Sequence, residues 1–358
     1  MKQFALMLLA LCLLLGGCSK IFEGSYYHVE PHQNQNSPLV QDNIMVSNYV
    51  GLCSALIGYV ESGVESGLIF VPNYDQTYIG QDIPTAINHV MTTNPIAAWA
   101  VEDITCEPGS SGGQHAVAVS ITYTHDRTEI RKIHRVTDAE GIQNIISGVL
   151  TDFGTGVVML LPADQALDYA QYVDSYADTY PQTVIEKPQV VVNIYPDSGY
   201  TRLVELKFTY QTNRDSLRTM QDQVHSVFES AAAYISSYEQ EAEKYQRLYY
   251  FLMEFLIEGD YQLETSITPA YSLLRHGVGD KKAFATVFAA MCRESGLDCQ
   301  VVSGTRGGEA WYWNLIAIDG EYSHLDLLRC RENGKFAPYS DEEMDGYVWD
   351  YSAFPVAS

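Results

Sequence analysis

Basic residues are scarce in this chain: 21 Lys and Arg stand against 45 Asp and Glu, a formal net charge of −24 over 358 residues. That scarcity excludes binding to nucleic acid or another polyanion by bulk charge, which needs basic patches. Metal-ligand spacing is missing as well. None of the seven cysteines stands in a CxxC pair and the nine histidines do not cluster, so no metal site and no cofactor are expected. The stretch Pro108-Gly109-Ser110-Ser111-Gly112-Gly113 lacks the Lys-Ser/Thr of a phosphate loop and sits between predicted strands, so it reads as a hairpin turn. After Leu15 no apolar run is long enough to span a bilayer as a helix.

What is present is 46% hydrophobic and 12% aromatic sequence, enough to bury the cores of two or three domains. Lys2 precedes an apolar run from Phe4 to Leu15 that ends in Gly16-Gly17-Cys18. Residues 1–17 therefore read as a secretory signal, and the small residues before Cys18 resemble those of bacterial lipoproteins. That resemblance implies a lipid on Cys18 as the first mature residue, anchoring the chain to a membrane and facing it outside the cytoplasm. A plain signal peptide with a chance cysteine is the alternative. Residues 18–47, with Pro31, Gln33, Asn34, Gln35, Asn36 and Pro38, read as a flexible tether.

Three matches point to an internal repeat. Ile69-Phe70-Val71-Pro72 corresponds to Met159-Leu160-Leu161-Pro162, and the Pro108–Gly112 turn to Pro196-Asp197-Ser198-Gly199. Thr122-Tyr123 followed by Arg127 corresponds to Thr209-Tyr210 followed by Arg214. The offsets stay between 87 and 90 residues, which suggests a tandem duplication. Each copy reads as strand, amphipathic helix, two strands around a Gly/Ser turn, then a second helix, placed at roughly 138–150 in the first copy and 215–233 in the second. Two similar α+β units are therefore expected, at 48–150 and 151–235.

The last part carries the most specific pattern. Gly277-Val278-Gly279-Asp280-Lys281-Lys282-Ala283-Phe284-Ala285 opens a helix that runs to Gly296; Trp311-Tyr312-Trp313-Asn314 and His324-Leu325-Asp326 follow. With the aromatic helix from Ser236 to Gly259 before it and Trp349-Asp350 and Phe354-Pro355 after it, residues 236–358 resemble the transglutaminase-like family, of papain-type Cys-His-Asp chemistry. The fold class implied is α+β, duplicated small units followed by a transglutaminase-like, cysteine-proteinase-type domain. The resemblance places the family cysteine at Lys281 and the family histidine at Trp311, leaving only the acid, Asp326. Lysine puts a cation where a helix start favours an anion, and indole has no basic nitrogen with which to move a proton. Both losses imply an inactive domain. The aligned positions also suggest an ion pair between Lys281 and Asp326.

Replacements are few. Cys292 lies eleven residues along the same helix from Lys281, roughly 16 Å away. His324 should share a strand face with Asp326 and matches an additional histidine of the family, which reads as structural. Of Cys53, Cys106, Cys292, Cys299 and Cys330, the family fold would let Cys299 and Cys330 pair; free buried thiols are the other reading, and the odd number leaves at least one unpaired.

Three functional readings follow. The first is a membrane-anchored lipoprotein whose degenerate cleft binds a peptide, protein or cell-wall ligand, with Trp311, Tyr312, Trp313 and His324 as candidate contacts. The second is an active peptidase, amidase or transglutaminase-like enzyme with relocated residues, for which Thr286 and Ser303 are the nearby hydroxyls. The third is a structural or assembly role built on the duplicated units.

Overall fold

The computed structural model describes residues 44–165, 167–254, 257–258 and 266–358. The expected signal peptide, Cys18 and nearly all of the tether lie outside the described residues. Val46–Ser358 cluster as one compact unit, and among the described residues no helix is long and apolar enough to cross a membrane.

Two four-stranded sheets come first, each with a two-residue edge strand (Ile44–Met45 in one, His134–Arg135 in the other) beside three antiparallel strands, and His134–Arg135 pairs in parallel. Strands β1 (Ser66–Phe70), β2 (Val101–Ser111) and β3 (Gln114–Tyr123) lie in the order β1-β3-β2, accompanied by helices α1 (Tyr49–Ser62), α2 (Ile79–Thr93), α3 (Pro95–Ala100) and α4 (Arg127–Arg131). Gly112 and Gly113, both at positive φ, form the two-residue turn between β2 and β3. In the second sheet β4 (Gly156–Pro162), β5 (Gln189–Tyr195) and β6 (Thr201–Thr209) repeat that order as β4-β6-β5, with α5 (Ala139–Thr151), α6 (Tyr169–Thr179) and α7 (Arg214–Ile235). The starts of α1 and α5, of β1 and β4, and of β3 and β6 differ by 90, 90 and 87 residues.

The sequence puts the helix near 138–150 at the end of the first unit, yet α5 buries Ile142, Ile146 and Leu150 in a single cluster with Met159, Leu161 and Leu206 of the second sheet. Burial decides where α5 packs, because its apolar face is covered by the sheet that follows it. The apolar face of α5 thus packs with the second sheet, within a single compact unit of Val46–Ser358.

The C-terminal domain holds α8 (Glu241–Glu254), α9 (Pro269–His276), α10 (Lys281–Glu294) and α11 (Leu327–Glu332), with a sheet of β7 (Cys299–Arg306), β8 (Glu309–Ile318), β9 (Glu321–Leu325) and β10 (Tyr347–Trp349) in the order β9-β8-β7-β10. The helix expected from Ser236 begins only at Glu241, since α7 runs to Ile235 and a turn intervenes. Leu217, Val224, Phe228, Ala231 and Ile235 of α7 join the core of this domain and not the cluster formed by the second sheet.

Helix α10 positions the site. The Asp280 carboxylate accepts from Ala283 N at 2.7 Å as its N-cap, and residues 283–292 are buried on every side. Such a helix is a core element and not an amphipathic surface helix. Asn314 Nδ2 donates to the Ala285 carbonyl at 2.9 Å and ties β8 to it. Close approach at β7 requires glycine: a Cβ on Gly304 would lie 2.2 Å from the Val348 carbonyl oxygen and 2.9 Å from the Trp313 ring.

Candidate functional site

Lys281, Trp311 and Asp326 do meet at the start of α10, but in an order the sequence does not suggest. Trp311 lies between the other two. Its Nε1 donates to Asp326 Oδ2 at 2.8 Å, and the Lys281 ammonium sits 4.0 Å from the centre of its ring. The expected Lys281–Asp326 ion pair is not formed: the salt-bridge partner of Lys281 is Glu309, at 3.5 Å, and that of Asp326 is Arg306, at 3.8 Å. The indole occupies the space between cation and carboxylate and satisfies both through its ring face and its N–H.

Asp326 is 0% exposed and its two oxygens accept four hydrogen bonds. Oδ1 takes the backbone N–H groups of Leu328 and Arg329, capping α11; Oδ2 takes Trp311 Nε1 and, at 2.6 Å, the Tyr347 hydroxyl. Burial, then the hydrogen bond to Asp326, pushes the Tyr347 phenol far above its ordinary range, so it remains a donor. Arg306 closes the outer side, 4.8 Å from the Trp311 ring and hydrogen-bonded through both terminal nitrogens to Glu332. Two cations thus flank one indole.

The remaining candidates separate. Trp313 is 1% exposed and donates through Nε1 to His324 Nδ1 at 2.9 Å. Indole is only a donor, so His324 Nδ1 accepts and the proton sits on Nε2, which donates to Asp341 Oδ1 at 2.8 Å. His324 is 0% exposed, and burial holds its pKa below the usual imidazole range against the opposing influence of Asp341. Trp313 and His324 are therefore core residues, which corrects their place among the ligand contacts: neither offers a face to a ligand. Tyr312 is half-buried and borders a cavity of about 520 Å³ together with Lys282 and Ser303. Of the four candidates, Trp311 lies between Lys281 and Asp326.

Among the described residues, neither Thr286 nor Cys292 hydrogen-bonds to a base. Both His324 nitrogens are taken by Trp313 and Asp341, Thr286 Oγ1 donates to the Ala283 carbonyl, and burial raises the Cys292 thiol well above its ordinary range. Cys299 and Cys330 do not pair; Cys330 Sγ contacts Ala337, and all five described cysteines are free. Among the described residues no cluster of three potential metal ligands occurs. Arg306, Tyr347, Glu309 and Glu332 belong to the site but carry no motif, so sequence reasoning passed over them.

With this geometry in place, the family match is decisive. Residues 229–335 match the sequence profile of the transglutaminase-like superfamily. They form a transglutaminase-like domain. No curated protein matches the chain in sequence. Solved structures similar to it include a TGase (13% identity, TM-score 0.26, 48% of this chain and 50% of that one) and a candidate cysteine protease from Cytophaga hutchinsonii (14%, 0.27, 48% and 70%). A candidate protease from Parabacteroides distasonis is similar at 11% identity, with a TM-score of 0.25 and coverage of 59% and 45%. The chain thus spans about half the length of the first and third of these structures. In this domain a donor-only indole, Trp311, lies between the Lys281 cation and the buried Asp326 carboxylate.

Proposed function

We propose that this protein is a membrane-anchored extracytoplasmic lipoprotein, held by a lipid on Cys18, whose transglutaminase-like domain binds a peptide, protein or cell-wall ligand without turning it over. The observation that carries the non-catalytic reading is the Lys281–Trp311–Asp326 stack. Thiol chemistry needs a nucleophile, a base that accepts its proton and an acid that orients the base. Here the central group has no lone pair to accept a proton, and the acid is saturated by four donors. The Lys281 ammonium lies against the Trp311 ring face and pairs with Glu309, so both of its contacts are structural ones. The matching order of elements in the two preceding units supports their origin by tandem duplication.

The mature protein from Ser19 onward is expected to show neither peptide hydrolysis nor glutamine–lysine crosslinking above background, and Asp326→Ala and Cys292→Ala are expected to behave like it. Turnover that disappears in Asp326→Ala would overturn the non-catalytic reading.

A further inference from the structure

Strand β7 lies between β8 and β10, but β10 pairs only with Gly304–Arg306. Cys299–Ser303 therefore has β8 on one side and, among the described residues, no strand on the other. The direction of its main-chain groups follows from its two ends. The Asp298 carbonyl accepts from Ala317 N on the β8 side, and Gly307 N donates to the Gly346 carbonyl on the β10 side. Main-chain groups alternate from residue to residue in a strand, so Cys299, Val301 and Ser303 aim their N–H and C=O groups away from β8. No described residue hydrogen-bonds to those groups.

The same three residues form one wall of the 520 Å³ cavity, opposite the face of α10 that carries Lys282 and Arg293 and the end of α6 at Asp178. That volume falls in the range of ligand sites. The far wall is held in place: Lys282 is ion-paired with Asp178, Arg293 donates to the Thr179 carbonyl, and Gln182 donates to Glu294 at 2.8 Å. The cavity is thus preformed, and the residues that carry the unused donors and acceptors are among those that line it.

We propose that the open edge of β7 at Cys299–Ser303 takes an extended polypeptide segment of a partner as an added strand. Donors and acceptors recur there every second residue, about 7 Å apart along roughly 16 Å of strand, a repeat matched by another extended main chain. Glycans and lipid headgroups carry no such repeat. Pairing with β10 begins at Gly304, so the added segment ends there. This deepens the ligand-binding reading and rests on it for the claim that the domain holds a ligand.

The test uses the whole mature protein and a phage-displayed library of random linear twelve-residue peptides, with the selected peptides synthesised and titrated. Val301→Pro and Ser303→Pro each delete an N–H that no described residue uses, so thermal unfolding serves as the control for folding. The expected result is binding weakened about two- to tenfold in either variant, the worth of one hydrogen bond, with slowed hydrogen exchange at Cys299, Val301 and Ser303 when peptide binds the wild-type protein. Peptides that bind both variants like wild type and protect other amides would overturn strand addition, as would a library with no binder. Cleavage of a peptide that still depends on Val301 N–H would leave strand addition standing and overturn the non-catalytic reading.

Discussion

Trp311 donates to Asp326 from the position where the family resemblance places a histidine, so one half of an imidazole's hydrogen bonding survives and the proton-accepting half does not. Trp311→Phe keeps the ring beside Lys281 but leaves Asp326 Oδ2 with Tyr347 as its remaining hydrogen-bond donor among these side chains. It is expected to cost about 0.5–1.5 kcal/mol in urea unfolding, the net worth of one hydrogen bond, with Trp311→His costing less because it can still donate. Equal losses in the two variants would show that the hydrogen bond contributes nothing separable. His324 predicts a pH dependence. Buried and neutral, it has a folded pKa below the unfolded value near 6.5, so below about pH 6.5 the unfolded chain binds more protons and stability falls until the folded pKa is passed. Between pH 7.5 and 5 the unfolding midpoint should drop further in the wild type than in His324→Asn, whose side chain does not titrate. Equal drops would remove His324 as the cause.

At the scale of elements, α10 and β7 are each specified by a single position. Lysine as the first helical residue of α10 opposes the helix dipole, and the Asp280 cap, the Trp311 ring and Glu309 offset it. Gly304 lets β7 pass the Val348 carbonyl and the Trp313 ring. Gly304→Ala would force backbone against backbone, and a loss of at least 1–3 kcal/mol, the usual range for overpacking, is expected as a lowered thermal midpoint. An unchanged midpoint would mean that β10 can move aside at no cost. Were β10 displaced, Tyr347 would leave Asp326, so near-ultraviolet circular dichroism should change in the same variant.

Across the whole molecule, what the sequence revealed was what it stores locally or at a fixed offset. The Gly-Val-Gly-Asp turn before Lys281, the Trp-Tyr-Trp-Asn strand and the His-Leu-Asp end are contiguous strings, and they located α10, β8 and Asp326. Constant offsets of 87 to 90 residues located the corresponding strands of the first two sheets. Contacts between distant segments were not legible. Arg306, Tyr347 and Glu332 reach the site only because β7, β10 and α11 converge on Asp326, and the unpaired stretch of β7 exists only because β10 is three residues long. The packing of α5 was illegible for a related reason: periodicity gives its apolar face and says nothing of which sheet covers it.

If the domain is non-catalytic as proposed, the cap that Asp326 places on α11 has a consequence for how such a site decays. Thiol and imidazole at these positions serve the reaction and are dispensable to the fold once the reaction is abandoned. The acid is not, because removing it frees two backbone N–H groups, an indole N–H and a phenol inside the core. Drift can therefore erase the first two members of the triad and still leave the third, so a surviving aspartate in a domain of this kind is a record of architecture and not of chemistry.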